Sequence, residues 1–306
     1  MTPVLLALAA AACPYHHQGD LLVGADDPVP ACLETVDGDL EVGSGDVHLR
    51  FPHLTDVTGR LALTLAGEGR ASFPRLERVH GGLELELRRT GRIELPRLRH
   101  VSGPVGLDLD PAGRPRGLAA LRRVDGGLWI FGGGDLAGLL PDLRGVAGTV
   151  FLRPSGPVRG LLPRLERVGG HLVASNAGHL ALEGLDRLTA VDGGVYLFGG
   201  RHLALPRLER IGGALAVRAS RFESLARIGA PGARIGGLLL RDNPRLSEWP
   251  AHLSVPVERV ELRGNPQLGA EGIRRPGSPA TPRGADRPDP APRRPDPRSA
   301  DRRDPG

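Results

Sequence analysis

A phrase made of Leu or Phe, usually Pro, then Leu-x-x-Val-x-Gly-x-Leu-x-Leu returns every 20 to 23 residues along most of this chain. A fixed short period of this kind admits few folds. The glycines of the phrase fall at Gly38, Gly59, Gly81, Gly103, Gly126, Gly148, Gly170, Gly193 and Gly213. Each has a Val or Ile two residues before it and a Leu or Val two residues after it. Nine consecutive matches define a solenoid, in which every coil buries its apolar residues against the next and one core runs the length of the stack. That continuity overrides the two domains a chain of 306 residues would otherwise suggest.

Within each coil the stretch after the glycine alternates with period two, which a strand needs to turn one face inward. Leu61 with Leu63, Leu83 with Leu85, Val105 with Leu107, Leu128 with Ile130, Val150 with Leu152 and Val195 with Leu197 are the expected core positions. Successive strands are expected to pair in parallel, about 4.8 Å apart. The glycine before the strand serves either a positive φ or a close backbone approach. Upstream pairs such as Leu76 with Val79 and Leu165 with Val168 supply a second apolar wall. No amphipathic run of ten or more residues calls for a long helix, so the other sides of a coil are read as short strands, turns and 3₁₀ pieces. The expected fold is a mainly-β repeat solenoid with a parallel sheet, about ten coils of 20–23 residues and few or short helices.

Residues 30–273 form the repeat body, and residues 13–29 an N-terminal segment with an irregular capping coil around Gly19–Val23. Beyond Val217 the register loosens, and Gly236-Gly237 leaves the next strand's alignment open by one residue. Asn243-Pro244-x-Leu246 is answered 22 residues later by Asn265-Pro266-x-Leu268, which marks the last two coils. The sequence from 274 to 306 holds nine prolines and no apolar face, and is read as a disordered tail. All 40 basic residues are arginine, which raises the isoelectric point to about 10.3. Nine Arg against five Asp in the tail account for four of the five net positive charges, so the repeat body is almost neutral. Without a basic stripe interleaved with aromatics, nucleic acid is not an expected partner.

Val4 to Ala12 is an uninterrupted apolar run ending in small residues, and residues 1–12 read as a signal peptide. The run is too short to span a bilayer as a helix. Ala10-Ala11-Ala12-Cys13 resembles a relaxed bacterial lipobox, which would make Cys13 a lipidation site and an anchor to a membrane. The competing reading pairs Cys13 with Cys32 in a disulfide, as an exported protein with two cysteines permits.

The repeated Leu-Pro-x-Leu-x-x-Val-x-Gly-x-Leu-x-Leu, closing on Asn243-Pro244-x-Leu246, resembles the receptor L-domain family over roughly residues 19 to 270. Those are right-handed solenoids related to leucine-rich repeats, found in receptor ectodomains and in bacterial and fungal surface proteins. The resemblance implies a non-catalytic extracellular binding or scaffold module, nearest in kind to an exported bacterial surface lipoprotein. The sequence carries no cysteine-rich companion region and no transmembrane or kinase segment, so a growth-factor receptor role is not implied.

Catalytic constellations are thin. Gly43-Ser44-Gly45 lacks the spacing of a nucleophile elbow. Gly132-Gly133-Gly134 with Gly138 misses the dinucleotide spacing and reads as a loop between coils. His16 and His17 lie near Cys13 in a segment read as flexible, with no second cluster to complete a metal site. Asp108 and Asp110 read as a solvated acidic edge. The chain is therefore expected to be no enzyme and to need no cofactor, and a polysaccharide-active β-helix enzyme is the weakest of the readings.

The outward face of the main sheet is more informative. Alternation places Ala62, Glu84, Gly106, Trp129, Phe151, Val173, Tyr196 and Ala216 outward, with Phe131 and Phe198 at the next outward position on two strands. Five of the ten aromatic residues thus share one patch, and Arg153 and Arg218 rim it. Contiguous apolar area on a surface marks a partner, here a protein or a glycan. The competing readings are that a loop, the N-terminal segment or a second copy covers the patch, that the rings only stabilise the sheet, or that the solenoid is an envelope or adhesion spacer.

Overall fold

The computed structural model describes residues 14–24, 27–30, 32–43, 48–110, 117–133, 136, 138–156, 158–175, 181–248, 252–256 and 259–268, all within the first of two compact units, Met1–Pro276. These residues form a mainly-β parallel solenoid of about ten coils. Helix among them is confined to short 3₁₀ pieces, such as Leu118–Ala120.

The main strand of each coil is the alternating stretch of the repeat. Leu61–Leu65, Leu83–Leu87, Val105–Leu109, Leu128–Gly132 and Val150–Pro154 pair in parallel, residue for residue, and the ladder continues through Leu172–Ser175 and Val195–Phe198. A two-residue strand at the corner before it carries the repeat's valine: Arg78–Val79 pairs with His100–Val101, which pairs with Arg123–Val124. Parts of the far side close with short strands, such as His48–Arg50, Arg70–Ser72 and Arg92–Glu94. Every expected core position is buried, including both members of the Leu76/Val79 and Leu165/Val168 walls. Side chains stack on their own equivalents from coil to coil; Phe51 and Phe73 lie nearly parallel with ring centroids 4.6 Å apart.

The proline of the phrase has a local reason. Leu98 N–H donates to Leu95 C=O, Leu165 to Leu162 and Leu208 to Leu205, which closes a four-residue turn with Pro96, Pro163 and Pro206 at its second position. Proline's fixed φ suits that position. The turn swings the chain so that both leucines at its ends point into the core.

The glycine before each main strand is required by close approach and not by a left-handed backbone. From Gly59 to Gly213 none of the repeat glycines has positive φ. Each donates its N–H to the carbonyl of its equivalent one coil earlier: Gly81 to Gly59 at 3.0 Å, Gly103 to Gly81 at 2.8 Å, Gly126 to Gly103 at 3.2 Å, and so on to Gly213 with Gly193 at 2.9 Å. A Cβ on Gly126 would sit 2.5 Å from the carbonyl carbon of Gly103. Left-handed residues gather instead at the exit of the strand: Gly132, Gly199 and Gly264 have positive φ, as do Ala219 and Asp242 without glycine, and Gly67 and Arg89 take the same conformation two residues farther along their coils.

Two expectations need correction. In the first coil Leu21–Val23 pairs in register with Leu40–Val42, while Tyr15–Gln18 pairs in parallel with Leu33–Asp37 across a register shift between Tyr15 and His16. His16 and His17 therefore lie in a strand and not in a flexible segment, with His16 Nδ1 2.7 Å from Thr35 Oγ1 and His17 Nδ1 3.1 Å from the Tyr15 hydroxyl. The loosening of register begins before Val217, because a one-residue irregularity between Ile211 and Ala214 shifts the pairing of Arg210–Arg218 with Arg234–Arg241.

Replacing Gly126 with Ala forces backbone apart at the ladder and is expected to cost about 1–3 kcal/mol in urea unfolding. Gly145→Ala is the matched control, since a Cβ there meets no atom within 4 Å; its unfolding midpoint is expected to stay level or rise slightly.

Candidate binding face

Strict register carries the outward residues into rows. One row runs Ala62, Glu84, Gly106, Trp129, Phe151, Val173, Tyr196, Ala216, Leu239, Glu261. Beside it run Thr64, Glu86, Asp108, Phe131 and Arg153, and, farther along the stack, Ser175, Phe198, Arg218, Arg241 and Arg263. The structure thus brings Trp129, Phe131, Phe151, Arg153, Tyr196 and Phe198 onto one face, as alternation predicts.

The rings are only partly exposed, for a reason absent from the alternation. Trp129 and Tyr196 fold back over the backbone two residues upstream: a Cβ on Gly127 would meet the Trp129 six-membered ring at 3.0 Å, and one on Gly194 would meet the Tyr196 ring at 2.7 Å. Glycine beside an aromatic leaves a bare peptide that the ring covers. Phe131 packs against Phe151 with centroids 5.5 Å apart, and Tyr196 meets the edge of His171 at 5.4 Å. Phe198 is 39% exposed, the most open of the five.

Charge divides the face into zones. Toward the N-terminal coils Glu84 pairs with Arg60 at 2.9 Å, while the Arg88 guanidinium reaches Glu86 at 2.8 Å, Asp108 at 2.9 Å and Asp110 at 3.3 Å. Those carboxylates hold Arg88 further above its ordinary value, Glu86 contributing most. The backbone N–H of Arg89, more than any other group, holds the Asp110 carboxyl below its usual range. Because Gly106 has no side chain between Glu84 and Trp129, an open hollow of about 340 Å³ forms there, lined by Glu84, Glu86, Asp108, Trp129 and Phe131. Toward the C-terminal coils the row is basic: Arg153 and Arg218 are exposed and make no ion pair among the described residues, and Arg241 grips Glu261 with two bonds, at 2.9 and 2.7 Å.

The corner strands carry a second row that the sequence reading did not isolate: Arg78, His100, Arg123, Gly145, Arg167, Ala190, Arg210, Arg234. Three of its arginines are neutralised, Arg78 by Asp56, Arg123 by Asp125 and Arg210 by Asp192. Reading also missed the interior role of the late asparagines. Asn243 is fully buried; its amide donates to Val217 C=O and Asn265 Oδ1 at 3.0 Å each, and its oxygen accepts from the Ser220 N–H and hydroxyl. The repeated Asn-Pro-x-Leu was the available signal.

Other sequence candidates do not assemble into a site. Among the described residues no three His, Cys, Asp or Glu are grouped to hold a metal. Gly132 and Gly133 make the strand-exit corner, while Ser44, Gly45 and Gly134 lie outside the described residues. So do Cys13 and the segments 1–12 and 274–306; Cys32 is disulfide-bonded. No helix among the described residues is long and apolar enough to cross a membrane. No protein-family model, no curated protein and no solved structure matches the chain.

Asp110 has a depressed pKa in the fold, so its contribution to stability is present above the unfolded value of about 3.9 and is lost as pH falls through the lower folded value. Thermal melts of the native protein and Asp110→Asn are accordingly expected to differ most near neutral pH and to converge under acid.

Proposed function

We propose that the protein is a non-catalytic binding module of the cell surface, exported and presenting the aromatic-centred sheet face to a protein or glycan. The observation that carries this reading is the coincidence on one rigid sheet of five aromatic side chains with an open hollow and exposed guanidinium groups beside them. A rigid parallel ladder holds such groups at fixed spacing without the entropy cost of ordering a loop. Aromatic rings with flanking polar groups form the kind of patch at which binding energy concentrates. The apolar run before Cys13 supports export, and so does the disulfide of Cys32, since such bonds persist outside the reducing cytosol; a lipid on Cys13, the competing reading, would tether the solenoid to a membrane. The resemblance to receptor L-domains points the same way.

The rings that lie over Gly127 and Gly194 favour a second reading, in which the aromatics brace the sheet and the solenoid is an envelope or adhesion spacer about 50 Å long. The two readings predict different variants. If the face binds, Phe151→Ala with Phe198→Ala lowers binding of the purified protein to cell-surface preparations or glycan arrays by about tenfold or more with little change in melting temperature. If it braces, binding is unchanged and the melting temperature falls.

Export is tested separately by mass spectrometry of the mature N-terminus from membranes and medium. Loss of the residues before Cys13 is the expected result, with acyl mass marking the lipid reading and its absence the disulfide reading that the bonded Cys32 favours; an unmodified chain beginning at Met1 would overturn export.

A further inference from the structure

The binding face is complementary to itself. Ten main strands, from Leu61–Leu65 to Val260–Arg263, make it up, and its charge is arranged end to end: acidic on the second and third strands, aromatic on the fourth to seventh, basic on the eighth and ninth. Two copies of a flat face stack with two-fold symmetry in two simple ways. An axis along the stack sets every strand on its own equivalent, which opposes Asp108 to Asp108 and Arg218 to Arg218. An axis along the strands reverses the order and sets strand four on strand seven. Trp129 and Phe131 then face Tyr196 and Phe198.

The same operation, with nothing further adjusted, sets strand three on strand eight. Asp108 and the hollow over Gly106 come to lie opposite Arg218, whose guanidinium is exposed and makes no ion pair among the described residues. Ala216 lies opposite Gly106, so no bulky residue blocks the approach. A guanidinium entering that hollow meets the carboxylates of Glu86 and Asp108, which share the single Arg88 guanidinium with Asp110 and so keep a net negative charge, and the Trp129 ring, groups that recognise this cation by charge and by cation–π contact.

We infer that this face docks a second copy of the chain, stacked in reverse order, with Arg218 of each copy seated in the Gly106 hollow of the other. This rests on the reading of the face as a binding surface and names its partner. Ten strands about 17 Å long and about 4.8 Å apart offer roughly 800 Å² per copy, the area a specific interface takes from each side.

Sedimentation velocity of the full chain over a range of concentrations, up to about 100 μM, tests the inference. Reversible dimers are expected. Arg218→Asp and Asp108→Arg are each expected to weaken them about tenfold or more, whereas an equimolar mixture of the two variants regains association because both cross-contacts become attractive again. Gly106→Leu fills the hollow and leaves the fold intact, since a Cβ there meets only the Glu84 side chain at 3.8 Å; it too is expected to weaken the dimer. A dimer indifferent to all three variants would overturn the inference. So would a monomer at every concentration, and the Phe151/Phe198 variant then separates the two proposals: if it still lowers binding to surfaces or glycans, the face binds something other than its own copy, and if it does not, the binding reading falls as well.

Discussion

The solenoid depends on one close approach, that of the peptide backbone at the corner before each main strand. There each glycine donates to its equivalent one coil back, and a Cβ on nearly any of them would lie under 3 Å from the backbone of the preceding coil. The coils are thereby held at a uniform spacing, and the main strands leave the corner in matched register. A bulge follows where the sequence puts Gly212-Gly213 before Ala214 and the pairing slips.

Once that spacing is set, packing is a matter of like on like. Leucine from one coil meets leucine from the next at each of the inward positions, and the prolyl turn delivers two of those leucines per coil by geometry alone. Nearly all stabilising contacts are then between adjacent coils, so stability is a sum of neighbouring interfaces. The last two coils vary the theme by burying Asn243, whose amide satisfies backbone and side chain in the coil before it and the side chain of Asn265 in the coil after it. A buried polar group of this kind is stable only because all its partners are met.

Uniform register also makes the outer surface legible as rows. Substitutions that have no bearing on the core accumulate there as zones of charge and aromaticity, and glycine at Gly106 opens a hollow that a side chain would have closed. The face owes its rigidity to the same backbone ladder that fixes the core. Binding chemistry on it is therefore a question of which side chains share a row and what lies opposite them.

The sequence by itself determined the fold class, the coil length, the inward residues and the membership of the outward rows, because a 20–23-residue period and a two-residue alternation leave no second way to bury the leucines. Trp129, Phe151 and Tyr196 were legible as neighbours for that reason. Which of three functions each glycine served was decided only by the tertiary structure: close approach at Gly126, a left-handed corner at Gly132, and a bare peptide under an aromatic ring at Gly127 all look alike as a residue without a side chain. The reach of Arg88 to Asp108 and Asp110, the burial of Asn243 and the pairing of Tyr15–Gln18 with Leu33–Asp37 were likewise decided by the tertiary structure, because each depends on contact between coils about 20 residues apart in sequence, and periodicity specifies which coils are neighbours without specifying which polar atoms meet.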